Sequence, residues 1–193
     1  MGKRYWFALV LMALARGALA TEPGPAIKII HGLHETVRIQ ELGITLPAKL
    51  DTGAESASLS ADNVRTFIRD GREMVAFTLA LDQPARKKWG IGEPGLDRIE
   101  LPLVEHVRIK RRAESTARAE QSYVRRPVVA LTLCVGDRSA RVDVNLTDRR
   151  DFNYPLLVGS QALRALGALV DPAVSMSKGQ PACARESSGP KAE

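Results

Sequence analysis

The stretch Leu50-Asp51-Thr52-Gly53-Ala54 constrains this chain more than any other, because it sets a carboxylate at the end of an apolar run and just before a glycine turn. Upstream, Ile44-Thr45-Leu46-Pro47-Ala48-Lys49-Leu50 alternates in the manner of a half-buried strand. Asp and Thr beside Gly can also hydrogen-bond neighbouring backbone, so a loop-stabilising Asx turn is the alternative role. A second segment weighs against it. Tyr154-Pro155-Leu156-Leu157-Val158-Gly159-Ser160-Gln161 carries a short apolar strand into glycine. A helix then begins at Ser160, and its Ala162, Leu163 and Leu166 share one face.

An Asp-Thr-Gly loop backed by an apolar-apolar-Gly strand and a short helix resembles the retropepsin-like aspartic proteases. More narrowly, the chain is similar to the bacterial branch often labelled "ATP-dependent zinc protease". The likeness runs from Thr36 to Asp171 through the segments 46–54, 126–129, 146–149, 154–159, 161–163 and 170–172. Ser160 departs from the arginine that this branch usually carries after the glycine.

The resemblance implies a mainly β, single-lobe acid-protease barrel. It also implies that Asp51 holds the attacking water, that Thr52 locks two such loops together, and that Gly53 lets their backbones come close. Ala54, Glu55 and Ser56 would then lie along the substrate main chain, with Glu55 favouring basic or polar peptides. Peptide hydrolysis at an acid site needs a base for the water and an acid for the leaving nitrogen. Two adjacent carboxylates sharing one proton supply both. This chain has one Asp-Thr-Gly, and neither Asp171-Pro172 nor Asp148-Arg149 has the strand-Asp-Thr/Ser-Gly setting of a second lobe. A homodimer joining two copies of Asp51 across a twofold axis is the expected solution.

The remaining residues add bounds. Met1 to Ala20 has a basic start at Lys3 and Arg4, an apolar core and an Ala18-Leu19-Ala20 end, which describes a cleavable export signal. The expected location is therefore the periplasm or outside the cell, with membrane contact only through that segment if it stays uncleaved. Of the 28 Lys and Arg residues, three leave with the signal, so 25 face 22 acids and the net charge is only +3. The basic run Arg108-Ile109-Lys110-Arg111-Arg112 has no interleaved aromatic residue, so nucleic acid is not an expected partner.

His31 and His34 lie three apart beside an acid, as His-Gly-Leu-His-Glu, and the one other histidine is His106. No His-Glu-x-x-His motif and no Gly-rich phosphate loop ending in Lys-Ser/Thr occurs, so neither zinc nor ATP is expected as a cofactor. Cys134 reads as a core residue; pairing with Cys183 stays open.

Asp70-Gly71 and the turn at Gly136 mark hairpins, while residues 83–98 read as a loop and 106–125 as the better of two flap candidates. The expected organisation is a signal at 1–20, a linker at 21–35, one closed barrel with one short helix at 36–174, and a disordered tail at 175–193. The leading function is an aspartic endopeptidase with no cofactor, acting on a peptide or protein. The alternatives are a dimeric peptide-binding scaffold of the same fold and, third, a metal-dependent hydrolase. Mass determination of the protein from its native host should find a mature chain beginning near Thr21; a full-length N-terminus in the membrane fraction would contradict cleavage.

Overall fold

The computed structural model describes residues 27–91, 96, 98–110 and 123–183. The expected signal, residues 111–122 of the expected flap and residues 184–193 of the expected tail lie outside them.

The described strands run β1 Ile29–Ile39, β2 Ile44–Asp51, β3 Ala57–Arg69, β4 Arg72–Leu79, β5 Ile99–Pro102, β6 Glu105–Lys110, β7 Tyr123–Val135, β8 Arg138–Thr147, β9 Leu156–Gly159 and β10 Ala168–Ser175. Two short helices accompany them, α1 Gln83–Lys88 and α2 Ser160–Leu166. Strands β1, β2, β9, β3, β8 and β7 are neighbours in that order. The ring closes because β1 also pairs with β7, Val37 to Ile39 lying opposite Val135 to Leu133. Strand β10 extends the sheet beyond β1, β6 extends it beyond β7, and β4 with β5 forms an offshoot on β3.

Alternation explains the closure. Every second residue of a strand faces the same way, and the inward set Val37, Ile39, Leu46, Ala48, Leu50, Leu59, Leu131, Leu133, Val144, Leu146, Leu156 and Val158 is almost wholly removed from water. Helix α2 adds Ala162, Leu163 and Leu166 to the same core. Truncating one such leucine to alanine costs about 2–5 kcal/mol, so the barrel rests on this apolar set. The outward set of β2, which includes Lys49 and Asp51, is left free for chemistry.

The expected mainly β barrel is therefore present, with differences in detail. Asp70 and Gly71 both have positive φ, 50° and 72°, the conformation that a tight twisted hairpin requires between β3 and β4. Strand β3 is continuous from Ala57 to Arg69; a register shift between Asp62 and Arg65, with Asn63 at φ 52°, divides its two halves. The stretch read as a loop from residue 83 contains α1, six residues long and capped by the Asp82 side chain on the Ala85 N–H at 2.8 Å.

The chain is already a strand at Ile29, so the expected linker ends earlier than residue 35. Gly32 explains the early start: a Cβ there would lie 2.6 Å from the Val174 carbonyl oxygen, so only glycine lets β10 cross so closely. Residues 175–183 of the expected disordered tail are tied to the barrel by hydrogen bonds, and Cys134 and Cys183 form a disulfide.

Glu35 organises that packing from within. Wholly buried, it accepts from the Gly32 N–H at 2.6 Å, from the Ser177 hydroxyl and N–H, and from the Lys178 N–H at 3.1 Å. Burial opposes its charge, but the Ser177 hydroxyl and the backbone donors outweigh burial and hold the group below the ordinary 4.5. A carboxyl with a depressed folded-state pKa contributes stability above its unfolded value, lost as pH falls through the folded value. In urea denaturation, Glu35→Gln should lower stability at neutral pH by about 1–3 kcal/mol and reduce the loss on acidification below about pH 4.5. A variant with the wild-type acid slope would contradict this role.

Candidate active site

Strand β2 delivers Asp51 to the rim of the barrel on its outward face, with the side chain about a quarter exposed (27%). The loop after it is tightly specified. The Gly53 N–H donates to Asp51 Oδ1 at 3.0 Å, and the Ala54 N–H donates to the Asp51 carbonyl at 3.3 Å. The Asx turn read as an alternative role is thus present, and it orients the acid. Lys49, two residues earlier on the same face, places Nζ 3.2 Å from Asp51 Oδ2.

The second segment holds the loop from behind. Strand β9 pairs parallel with β2, setting Leu50 beside Val158 and Asp51 beside Gly159. The Ser160 and Gln161 N–H groups, orphaned at the start of α2, donate to the Ala54 and Glu55 carbonyls at 2.7 and 3.1 Å. Gly159 makes the approach possible: a Cβ there would sit 2.5 Å from the Ser56 carbonyl oxygen. The two motifs that stand out in the sequence are one structural unit.

A cavity of about 560 Å³ opens beside the loop, lined by Asp51, Glu55, Ser56, Arg126, Asn145 and Arg149 among others. Arg149 is more than nine-tenths buried; Nη1 donates to Ser58 Oγ at 2.8 Å, Nε to the Tyr154 carbonyl at 3.2 Å, and the guanidinium rests on the Phe152 ring. Burial pushes this guanidinium down to about 10, the Arg126 charge acts in the same direction, and Asp51 opposes both. It stays charged at neutral pH. Arg126 is also held down by burial; its Nη1 donates to Asn145 Oδ1 at 3.1 Å, while its buried Nε has no hydrogen-bond partner among the described residues. Asn145 in turn donates to Ser56 Oγ and to the Ala57 carbonyl, tying the cations to the acid loop.

The residues expected to meet substrate, Ala54, Glu55 and Ser56, all line this cavity together with Asp51 and Gly53. Glu55 is engaged by Gln161, whose Nε2 lies 3.2 Å from its Oε1. Thr52 faces elsewhere, into an apolar groove of about 640 Å³ shared with Ile30, Leu163, Leu169 and Val170. Ile109 of β6, in the described part of the expected flap, lines the Asp51 cavity. A neighbouring cavity continues from Glu55 and Ser56 toward Glu105, His106 and Asp143.

His31 is buried with Nδ1 3.0 Å from the Ile29 carbonyl, and His34 stacks on Tyr154, so neither lines the acid site. Among the described residues, no group of three or more His, Cys, Asp or Glu side chains is placed to hold a metal. Sequence reasoning assigns no role to Arg126, Arg149, Asn145 or Lys49. Lys49 and the two arginines do sit in segments that carry the family likeness, the one signal that points to them.

Comparisons with known proteins agree with this geometry. The model of a family described as "RimB-like: Retropepsin-like aspartic endopeptidase RimB" matches residues 30–181. Proteins named "Probable alpha-L-glutamate ligase" from Shewanella pealeana and Desulfotalea psychrophila are 32% and 30% identical over 154 residues. Those matches cover 79% of this chain but 30% of each relative, so the chain spans under a third of their length and the ligase name belongs to them. A crystal structure of a Legionella pneumophila protein of unknown function superposes with a TM-score of 0.59 at 32% identity, covering 77% of this chain and 97% of that one. The chain belongs to the RimB-like family of retropepsin-like aspartic endopeptidases.

Proposed function

We propose that the protein is an exported aspartic endopeptidase that works as a homodimer and cleaves peptides carrying acidic side chains. The observation that carries this reading is the placement of one Asp51 between two different surfaces. Its carboxylate lines a cationic cavity, while the adjoining Thr52 lines an apolar groove. A second copy seated on that groove would bring its own Asp51 to the first, as a single-lobe chain requires.

One carboxylate of the pair takes a proton from water while the other, protonated, gives its proton to the carbonyl oxygen of the scissile bond. The hydroxyl adds to carbon, and collapse of the tetrahedral species breaks the C–N bond as the nitrogen gains a proton. An acid and an amine leave, and the pair again holds one shared proton.

The cations set substrate choice. Arg126 and Arg149 bring positive charge to the cavity beside the acid loop, so a carboxylate side chain of the peptide suits it. Glu55, expected to favour basic or polar peptides, lines the same cavity and accepts from Gln161 Nε2 at 3.2 Å. The name of longer relatives, alpha-L-glutamate ligase, fits the same chemistry, because a glutamate-bearing peptide carries the carboxylate that these cations suit.

Cleavage of a glutamate-rich and a lysine-rich peptide of equal length provides the test. Wild type should prefer the glutamate-rich peptide, and Asp51→Asn should lose about 1,000-fold in turnover of it while keeping its melting temperature. Arg126→Met should lower kcat/KM for the acidic peptide by about 10–100-fold with little change for the basic one. Equal cleavage by Asp51→Asn would overturn the mechanism. Binding without cleavage by wild type would replace the enzyme with a peptide-binding scaffold.

A further inference from the structure

Strand β10 is the edge strand beside β1, and none of its residues is fully buried. Its ladder is short: Ile29 to Gly32 pair with Ala168 to Asp171, the register then shifts, and His34 lies opposite Ser175. Beyond β10, residues 176–183 cross the barrel instead of leaving it. The Met176 N–H donates to the His34 carbonyl at 2.7 Å, Ser177 and Lys178 donate to buried Glu35, and the Ala182 N–H donates to the Gly136 carbonyl at 2.7 Å in the turn between β7 and β8. Cys183 then bonds to Cys134 of β7, 49 residues away in sequence.

A covalent bond at the far end of so poorly buried a strand confines the open states of the whole segment, because it closes a long loop. Strand β10 also supplies Leu169 and Val170 to the apolar groove that Thr52 faces, with Leu169 paired beside exposed Ile30. We propose that the Cys134–Cys183 disulfide is a redox-controlled clasp: closed, it holds β10 on the barrel and completes the face that receives the second copy; open, it releases that face. The link to the second copy rests on the twofold site described under Proposed function.

The chemistry is thiol–disulfide exchange. On closing, two S–H bonds break and one S–S bond forms, and the two electrons and two protons pass to an incoming disulfide oxidant that leaves as a dithiol. On opening, a reductant thiolate attacks Cys183 Sγ, since Cys134 is wholly buried while Cys183 is partly exposed, and Cys134 leaves as the thiolate. A second thiolate of the reductant then frees Cys183. In an exported chain, the clasp would close only after the protein leaves a reducing compartment.

Hydrogen exchange read by mass spectrometry, with and without dithiothreitol, tests the clasp, and sedimentation at graded concentrations tests its link to the dimer. Reduction, checked by the appearance of two free thiols, should speed exchange of the β10 amides at least tenfold and leave β2 and β9 unchanged. The dimer dissociation constant should rise at least tenfold. Cys183→Ser should show both effects without reductant and be indifferent to it. Unchanged β10 exchange in the reduced protein overturns the clasp, and faster β10 exchange with an unchanged dimer constant overturns its link to the second copy. An oxidised protein that is monomeric at every concentration overturns the twofold site, while β10 exchange still decides the clasp.

Discussion

The acid loop is held by backbone, and the rest of the site depends on that. Two N–H groups from the first turn of α2 meet the carbonyls of Ala54 and Glu55, while β9 lies parallel to β2 and sets Gly159 beside Asp51. These contacts involve no side chain that could rotate away, so the carboxylate is carried on a rigid frame. Gly159 is required because the Ser56 carbonyl lies where a Cβ would be. The barrel core beneath, anchored by Leu50 and Val158, keeps the two strands in register.

Charge is arranged around this frame in one sense. Asp51 is paired with Lys49 on its strand and lines one cavity with Arg126 and Arg149. Burying a guanidinium is costly unless it is hydrogen-bonded, and Arg149 is compensated by the Ser58 hydroxyl, the Tyr154 carbonyl and the Phe152 ring. Arg126 is compensated less completely. The proposed preference for acidic peptides rests on these buried guanidinium groups lining a cavity with Asp51.

Much of this is legible in the sequence where a pattern and a geometry coincide. Alternation from Ile44 to Leu50 marks β2, Leu156 to Gly159 marks β9, and Asp70-Gly71 marks a hairpin, because each demands a specific backbone. Strand β1 begins earlier than the sequence suggests because His31-Gly32-Leu33-His34-Glu35 lacks the alternation of a half-buried strand; its buried Glu35 is satisfied by partners distant in sequence. Helix α1 is too short to show a period. Arg149 reads as a surface residue by type, and only the meeting of β3, the 149–154 turn and β8 buries it. The pairing of Cys134 with Cys183 depends on the path of residues 176–183, which no local pattern encodes.

Calorimetric titration with a peptide in which a hydroxyl-bearing carbon replaces the scissile carbonyl tests the proposed acid pair most directly, since such an analogue imitates the reacting geometry. A twofold site with one Asp51 from each copy predicts one analogue bound per two chains. Tight binding of one analogue per chain by a monomer would contradict it.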